Sequence, residues 1–378
     1  MRSYIRKRIK IAHSLVLLLS FVFASLPTFA FAQTPGCTPS FTTKPMVSAG
    51  DNHSVYLKND GTVWAWGQNN FGQLGNGSTA DSSPPVQVTG LCDVVAISVG
   101  SGNAFALKSD GTVWAWGNNS FGQLGDGTTT SRSIPVQVSG MSDAAAIAAG
   151  ATYTVALKKD GTVWTWGYNS SGQLGYDTTG SNSSKAPQQV SSLSGITSIA
   201  AGFNHAAAVS STGAVWTWGD NAYSQLGRTT GTNGYNSVPA QVSSLGEAQS
   251  VSLGLHYSIA LLKDGTVWGW GYNGVGQLGN GTRTTAPIPE QVLYSSSPRK
   301  VLKDVVSVEA GYEHTIALLS DGTLQAWGSN SGMQIGDGTT TAGWRLFATT
   351  SSLNGTTVSA AAGRGHSLAV KDDGTVWT

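Results

Sequence analysis

The chain writes one sentence of its own sequence over and over. DGTVWAWGQNNFGQLGNGST at 60–79 returns as DGTVWAWGNNSFGQLGDGTT at 110–129 and as DGTVWTWGYNSSGQLG from Asp160. The Asp-Gly turn or its variant stands at Gly61, Gly111, Gly161, Gly213, Gly265, Gly322 and Gly374, at intervals of 50, 50, 52, 52, 57 and 52 residues. A unit of that length, filled with short strands and turns, cannot bury its apolar surface alone. It must stack on its own copies, as in a β-propeller or a β-solenoid.

One unit parses into four strands. Residues 94–100 (VVAISVG) are apolar and small, and residues 103–109 follow a tight turn. Asp110-Gly111 is a hairpin signal, because a two-residue type I′ turn needs positive φ at both central positions. Residues 112–117 (TVWAWG) form the third strand, and after a polar, glycine-rich loop PVQV at 135–138 forms the fourth, with proline at its start. The first strands read AIAAG, SIAAG and SAAAG in later units, which suits the crowded inner strand of a propeller. The expected fold is all-β: a seven-bladed β-propeller with four antiparallel strands per blade. DDGTVWT at 372–378 stops inside a third strand, so the seventh blade is expected to be incomplete and the chain a C-terminally truncated propeller.

Two tryptophans two residues apart on a strand project from one face. The second of each pair stands at Trp66, Trp116, Trp166, Trp218, Trp270 and Trp327, and we read it as blade core. The first is replaced by Gln325 in the sixth unit, which places that position nearer solvent. The repeated sentence is therefore a packing unit, and not a catalyst copied seven times.

The ends of the chain carry separate information. Arg2, Arg6, Lys7, Arg8 and Lys10 precede an apolar run at 15–26 and then Ala30-Phe31-Ala32, the pattern of a signal peptide over 1–32 and a propeller over 33–378. The protein is expected to be exported, secreted or held at the cell surface, with no membrane span once the leader is removed. Without the leader, 16 basic and 20 acidic residues remain, net −4, so no electrostatic case for nucleic acid survives. Cys37 and Cys92 are the two cysteines, and in an exported chain they form a candidate disulfide rather than a metal site.

The pattern in AGDNHSVYLKNDGTVWAWGQNNFGQLGNGST (49–79) and AGYEHTIALLSDGTLQAWGSN (310–330) resembles the regulator of chromosome condensation repeat. The resemblance covers nearly all of the chain after the leader and implies a seven-bladed propeller. The exported style is similar to family members of the β-lactamase inhibitory protein II type. Chromatin and nuclear GTPase activity is not carried over, because an exported chain without a basic patch meets neither.

Function has to come from a face of the ring. Strand order puts the turn after each first strand and the long loop after each third strand at one end of the blades. That face offers Phe71, Phe121, Tyr168, Phe203, Tyr223, Tyr272 and Tyr312, with Glu313, Asp220 and Arg364 among them. Aromatic side chains on variable loops suit protein recognition. GQLGDGT lacks the lysine of a phosphate loop, and a single turn aspartate is too few oxygens for calcium. Histidine at 53, 205, 314 and 366 alternates with Asn103, Tyr153 and Tyr257, which reads as a hydrogen-bonding structural position. Glu309 replaces the Ser or Ala of the other six inner strands, and a water-filled channel is its expected surrounding; a small polar site with Glu313 and His314 is the alternative. No metal, cofactor or catalytic set is expected. The reading is a protein-binding propeller that is not an enzyme. The alternatives are an inhibitor of an extracellular enzyme such as a β-lactamase, and a cell-surface module of a larger adhesin-like protein.

Overall fold

The computed structural model describes residues 42–177, 182–228 and 235–378, with Tyr235 by its backbone alone. The expected signal peptide and Cys37 lie outside the described residues. Cys92 is disulfide-bonded, and no described cysteine is free.

Seven antiparallel sheets ring the molecule, over residues 46–87, 94–137, 144–189, 196–241, 248–291, 305–350 and 357–377. Six have four strands in sequence order, and the seventh has three, ending with Val376–Trp377. Blade 2 is built from Val94–Val99, Asn103–Lys108, Val113–Gly117 and Arg132–Gln137. The fourth strand thus begins three residues before the expected proline, which sits inside it. Pro135 is tolerated there because this outermost strand leaves one edge without a ladder. The 57-residue interval holds an extra hairpin, Leu293–Ser296 with Arg299–Val301, between blades 5 and 6.

The ladder between third and fourth strands shifts register at the second tryptophan in all six four-stranded blades. The extra residues lie on the fourth strand, three opposite the single tryptophan, and such an irregularity adds local twist. Trp116, Trp166, Trp218, Trp270 and Trp327 are fully buried, each donating its indole N–H to the carbonyl of Gln73, Gln123, Gln173, Gln225 or Gln277 in the preceding blade, at 2.8–2.9 Å. Gly125 makes room for one of these contacts: at φ +70 it lies so close to Trp166 that a Cβ would sit 2.7 Å from the indole nitrogen. Trp66 departs from the expectation and is half-buried. Gln325 departs in the other direction: it is buried and donates to Thr350, so the first position of the pair is not uniformly the wetter one.

The apolar residues form seven separate clusters, each between two neighbouring blades. The cluster between blades 2 and 3, for instance, joins Phe105, Val113 and Ala115 to Trp166 and Trp164. Val47 of blade 1 packs with Leu368 and Val370 of blade 7, and Arg364 donates its N–H to the Gly50 carbonyl at 3.3 Å, so the ring closes face to face.

Candidate functional site

The loops of the variable face are held from within. In blade 2, Asn119 accepts the Leu124 N–H at 2.9 Å and donates to the Thr128 and Thr130 carbonyls, while Gln123 accepts the Phe121 N–H at 2.9 Å. Asn69 and Gln73 do the same work in blade 1, and Asn273 and Gln277 in blade 5. A loop closed this way presents its tip in one conformation.

What the tips present is paired aromatic rings. Phe121 stacks on Tyr168 with centroids 4.5 Å apart, and Tyr223 touches both Tyr272 at 5.3 Å and His256 at 4.5 Å. In the two aromatic pairs the loop ring of one blade meets the residue that follows Trp-Gly in the next, while His256 comes from the turn after that blade's first strand. Phe71, 44% exposed, and Tyr223, 43% exposed, are the most open members. Phe203 and Tyr312 stand apart from this outer rim and meet edge to face at 5.7 Å around the axis, with the Arg364 guanidinium 5.2 Å from the Tyr312 ring. Glu313 is half-buried near the Tyr257 hydroxyl, and its own carbonyl accepts the Ser329 N–H at 2.8 Å. The predicted residues therefore fall into three groups on one face. Sequence reasoning missed His256 and also Trp344, whose ring carries the Arg283 guanidinium at 3.7 Å. A tryptophan opening a strand that elsewhere reads PVQV was the available signal.

The opposite face is spoken for. Asp110, Asp160 and Asp264 are held below the usual carboxylate range by the hydroxyl and N–H of Thr112, Thr162 and Thr266. Each of those threonine hydroxyls also accepts the N–H of Trp114, Trp164 or Trp268, at 3.0–3.3 Å. The turn aspartates are thus spent on closing hairpins and ordering the outer tryptophan.

Three of the four turn-end histidines, His53 excepted, are inter-blade latches. His205, His314 and His366 meet the hydroxyls of Ser258, Ser367 and Ser54 of the following blade at 3.0–3.1 Å. Tyr257 fills the same position and donates to the His314 carbonyl at 2.6 Å. Burial drives the His53, His205 and His314 rings down to about 3, so all three stay neutral at ordinary pH. Among the described residues no group of three or more His, Cys, Asp or Glu is placed to hold a metal.

Along the axis runs a cavity of about 410 Å³ lined by the seven inner strands. Its mouth on the loop face is ringed by Asp51, Ser101, Phe203, Leu255, Tyr312 and Arg364. Glu309 lines its wall, and burial pushes that carboxyl up to about 7. Glu313 and His314 do not line it, so the alternative of a joint site with Glu309 is not built.

The fold and its faces can be set beside known proteins. Residues 60–107 match the regulator of chromosome condensation (RCC1) repeat, and residues 90–378 match the RCC1-like domain. The ultraviolet-B receptor UVR8 of Arabidopsis thaliana is 32% identical over 156 residues, which are 40% of this chain and 34% of UVR8. The E3 ubiquitin-protein ligase HERC2 of Homo sapiens is 36% identical over 130 residues, 34% of this chain and 2% of HERC2. The chain therefore spans about a third of the first relative and a small fraction of the second. Human WBSCR16 superposes with a TM-score of 0.75 at 24% identity, over 86% of each chain. Prp20p of Saccharomyces cerevisiae superposes with a TM-score of 0.74 at 22% identity, over 87% of this chain and 83% of its own. At these identities the superpositions speak for the fold alone, and the match over residues 90–378 speaks for descent: this chain belongs to the RCC1-like domain family.

Proposed function

We propose that this chain is an exported, non-catalytic propeller that binds a protein through its loop face. The observation that carries the reading is the outer rim of paired aromatics, Phe121 with Tyr168 and Tyr223 with Tyr272, presented on loops closed by their own asparagine and glutamine side chains. Rigid aromatic anchors give large contact area at little entropic cost, which is how binding hot spots are built. The structure of yeast Prp20p was described with its binding to Gsp1p and histones, and that precedent for the fold supports a binding role without naming a partner here. Export rests on the basic and apolar leader at 1–32.

An inhibitor of an extracellular enzyme, such as a β-lactamase, is the specific form of this reading that pre-organised aromatic loops suit best. A surface module within a longer adhesin-like protein is the other. Wild-type protein and a Tyr168→Ala, Tyr272→Ala double variant are immobilised side by side and exposed to the culture filtrate of the source organism. Each purified ligand is then titrated against both. Loss of two rim anchors is expected to weaken the complex by roughly thirtyfold or more, at about 1 kcal/mol or more per anchor. Equal affinity for the two proteins, with equal melting temperatures, would remove the binding site from this face. Inhibition of a captured enzyme selects the inhibitor form.

A further inference from the structure

We propose that the axial channel is a binding site for a primary ammonium group on a slim aliphatic stem, which enters from the loop face and pairs with Glu309. The inference goes beyond the loop-face reading and does not depend on it.

The cavity is a built one. Its volume, about 410 Å³, lies within the range of ligand pockets. At the level of Glu309 the other inner strands hold Ser48, Ser98, Ala148, Ala200, Ser252 and Ala361, so small side chains leave room for an aliphatic chain beside it. Of the residues lining the cavity, Asp51, Glu309 and Arg364 carry charge. Asp51 and Arg364 are both at the mouth, where burial raises the Asp51 carboxyl against the opposing pull of Ser101 and Arg364, and Arg364 lies over the ring of Tyr312. Glu309 is deeper. It lies inside the strand Val305–Ala310, whereas Tyr312 stands in the turn that follows. Among the described residues no lysine, arginine or histidine nitrogen lies within ion-pair reach of it.

A carboxylate half-buried in the channel wall has no charge partner among the described residues and few hydrogen-bond donors from the protein. Ser307 supplies one hydroxyl at 3.4 Å, a long contact. Ser252 of the adjoining blade accepts the Ala310 N–H at 2.9 Å and keeps a second lone pair on its oxygen. An ammonium has three protons to place, which suits a carboxylate with a serine oxygen in the next blade. At the entrance Phe203 offers an aromatic ring to a passing cation, while the Tyr312 ring already carries the Arg364 guanidinium, whose charge is opposed by the Asp51 carboxylate at the same mouth. A free diamine and the side chain of a lysine on a docking loop share this chemistry.

Cadaverine, a five-carbon diamine, is titrated calorimetrically into wild-type protein and into Glu309→Gln and Glu309→Ser variants. Pentanediol of the same length is the uncharged control, and Nα-acetyl-lysine amide stands in for a protein lysine. Glu309→Ser installs the residue of three sister blades, and melting curves verify that both variants fold. The expected result is saturable cadaverine binding that weakens at least about tenfold in both variants, with no heat from the diol. In parallel, the carboxyl carbon resonance of Glu309 is followed against pH, and saturating amine should move its midpoint down. Binding of the lysine amide as well would mean that a partner's lysine can fill the channel; binding of cadaverine alone would mean a free amine. Absence of saturable binding into the millimolar range, equal binding by the variants, or an unmoved Glu309 midpoint overturns the proposal.

Discussion

Glu309 shows how one residue can set a pH dependence for the whole ring. Burial raises its carboxyl from 4.5 to about 7 in the folded state, so the folded chain holds a proton that the unfolded chain has released. The sign follows directly. Stability contributed by this group is at its highest below about pH 4.5, declines as pH rises toward 7, and is constant above. The turn aspartates act in the opposite sense at lower pH, because their ranges are depressed and their contribution is lost on acidification. The Glu309 shift corresponds to at most about 3.4 kcal/mol, and solvent screening of a half-buried group reduces it to on the order of 1–2 kcal/mol. The buried histidines act oppositely over this range, since their lowered values remove stability as pH falls below 6.5. Urea unfolding at about pH 5 and pH 8 should therefore show a smaller gain with rising pH in wild type than in Glu309→Ser, and an equal gain in the two would mean that Glu309 contributes nothing to it. That Glu309 breaks a small-residue pattern was legible in the sequence. That its carboxylate has no charge partner was not, since the groups around it come from other blades.

The tryptophan pair shows how a strand divides its labour. Trp166 fills the space between blades 2 and 3, donates to the Gln123 carbonyl, and is fully buried. Trp164 lies on the same face, half-buried, with its N–H on Thr162 and the Lys158 ammonium 4.5 Å over its ring. Truncating Trp166 to Ala should cost about 3–5 kcal/mol, the loss expected of a buried aromatic whose cavity cannot collapse. Truncating Trp164 should cost about 1–2 kcal/mol, because water replaces much of what it touches. Equilibrium unfolding of the two single variants decides the matter, and similar losses would refute the division. The period-two spacing of the pair was readable from the sequence, as was the Asp-Gly turn that begins the strand. The bulge at the second tryptophan was not, because it arises from pairing with a fourth strand whose start the sequence also placed three residues late.

At the level of the ring, seven apolar clusters lie between blades and none lies within one, so each blade depends on both neighbours. The junction of blades 7 and 1 is the thinnest of these. It contributes four fully packed residues, Val47, Ala361, Leu368 and Val370, with Trp66 and Tyr56 half-buried against them. Among the described residues Trp66 lacks the burial of its five counterparts. Native-state hydrogen exchange should therefore be fastest in the strands of blades 1 and 7 and slowest in blades 3 to 5, where local opening breaks two full interfaces. Uniform protection around the ring would mean that this junction is as strong as the rest.

The strands, their turns, their number per unit and the count of blades all followed from the sequence, because each depends on spacings of a few residues that are written seven times. The class of side chain on the loop face followed too, since strand order alone assigns loops to ends. The structure decided which of those rings meet. Phe121 finds Tyr168 and Tyr223 finds Tyr272 across blade boundaries, while Phe203 and Tyr312 turn toward the axis instead of the rim. It decided as well that Trp66 is the exception among the core tryptophans and that Gln325 is buried. The physical reason is common to all of these. A repeat specifies each blade from within, whereas burial, aromatic pairing and the solvation of a lone carboxylate depend on how one blade is rotated against the next.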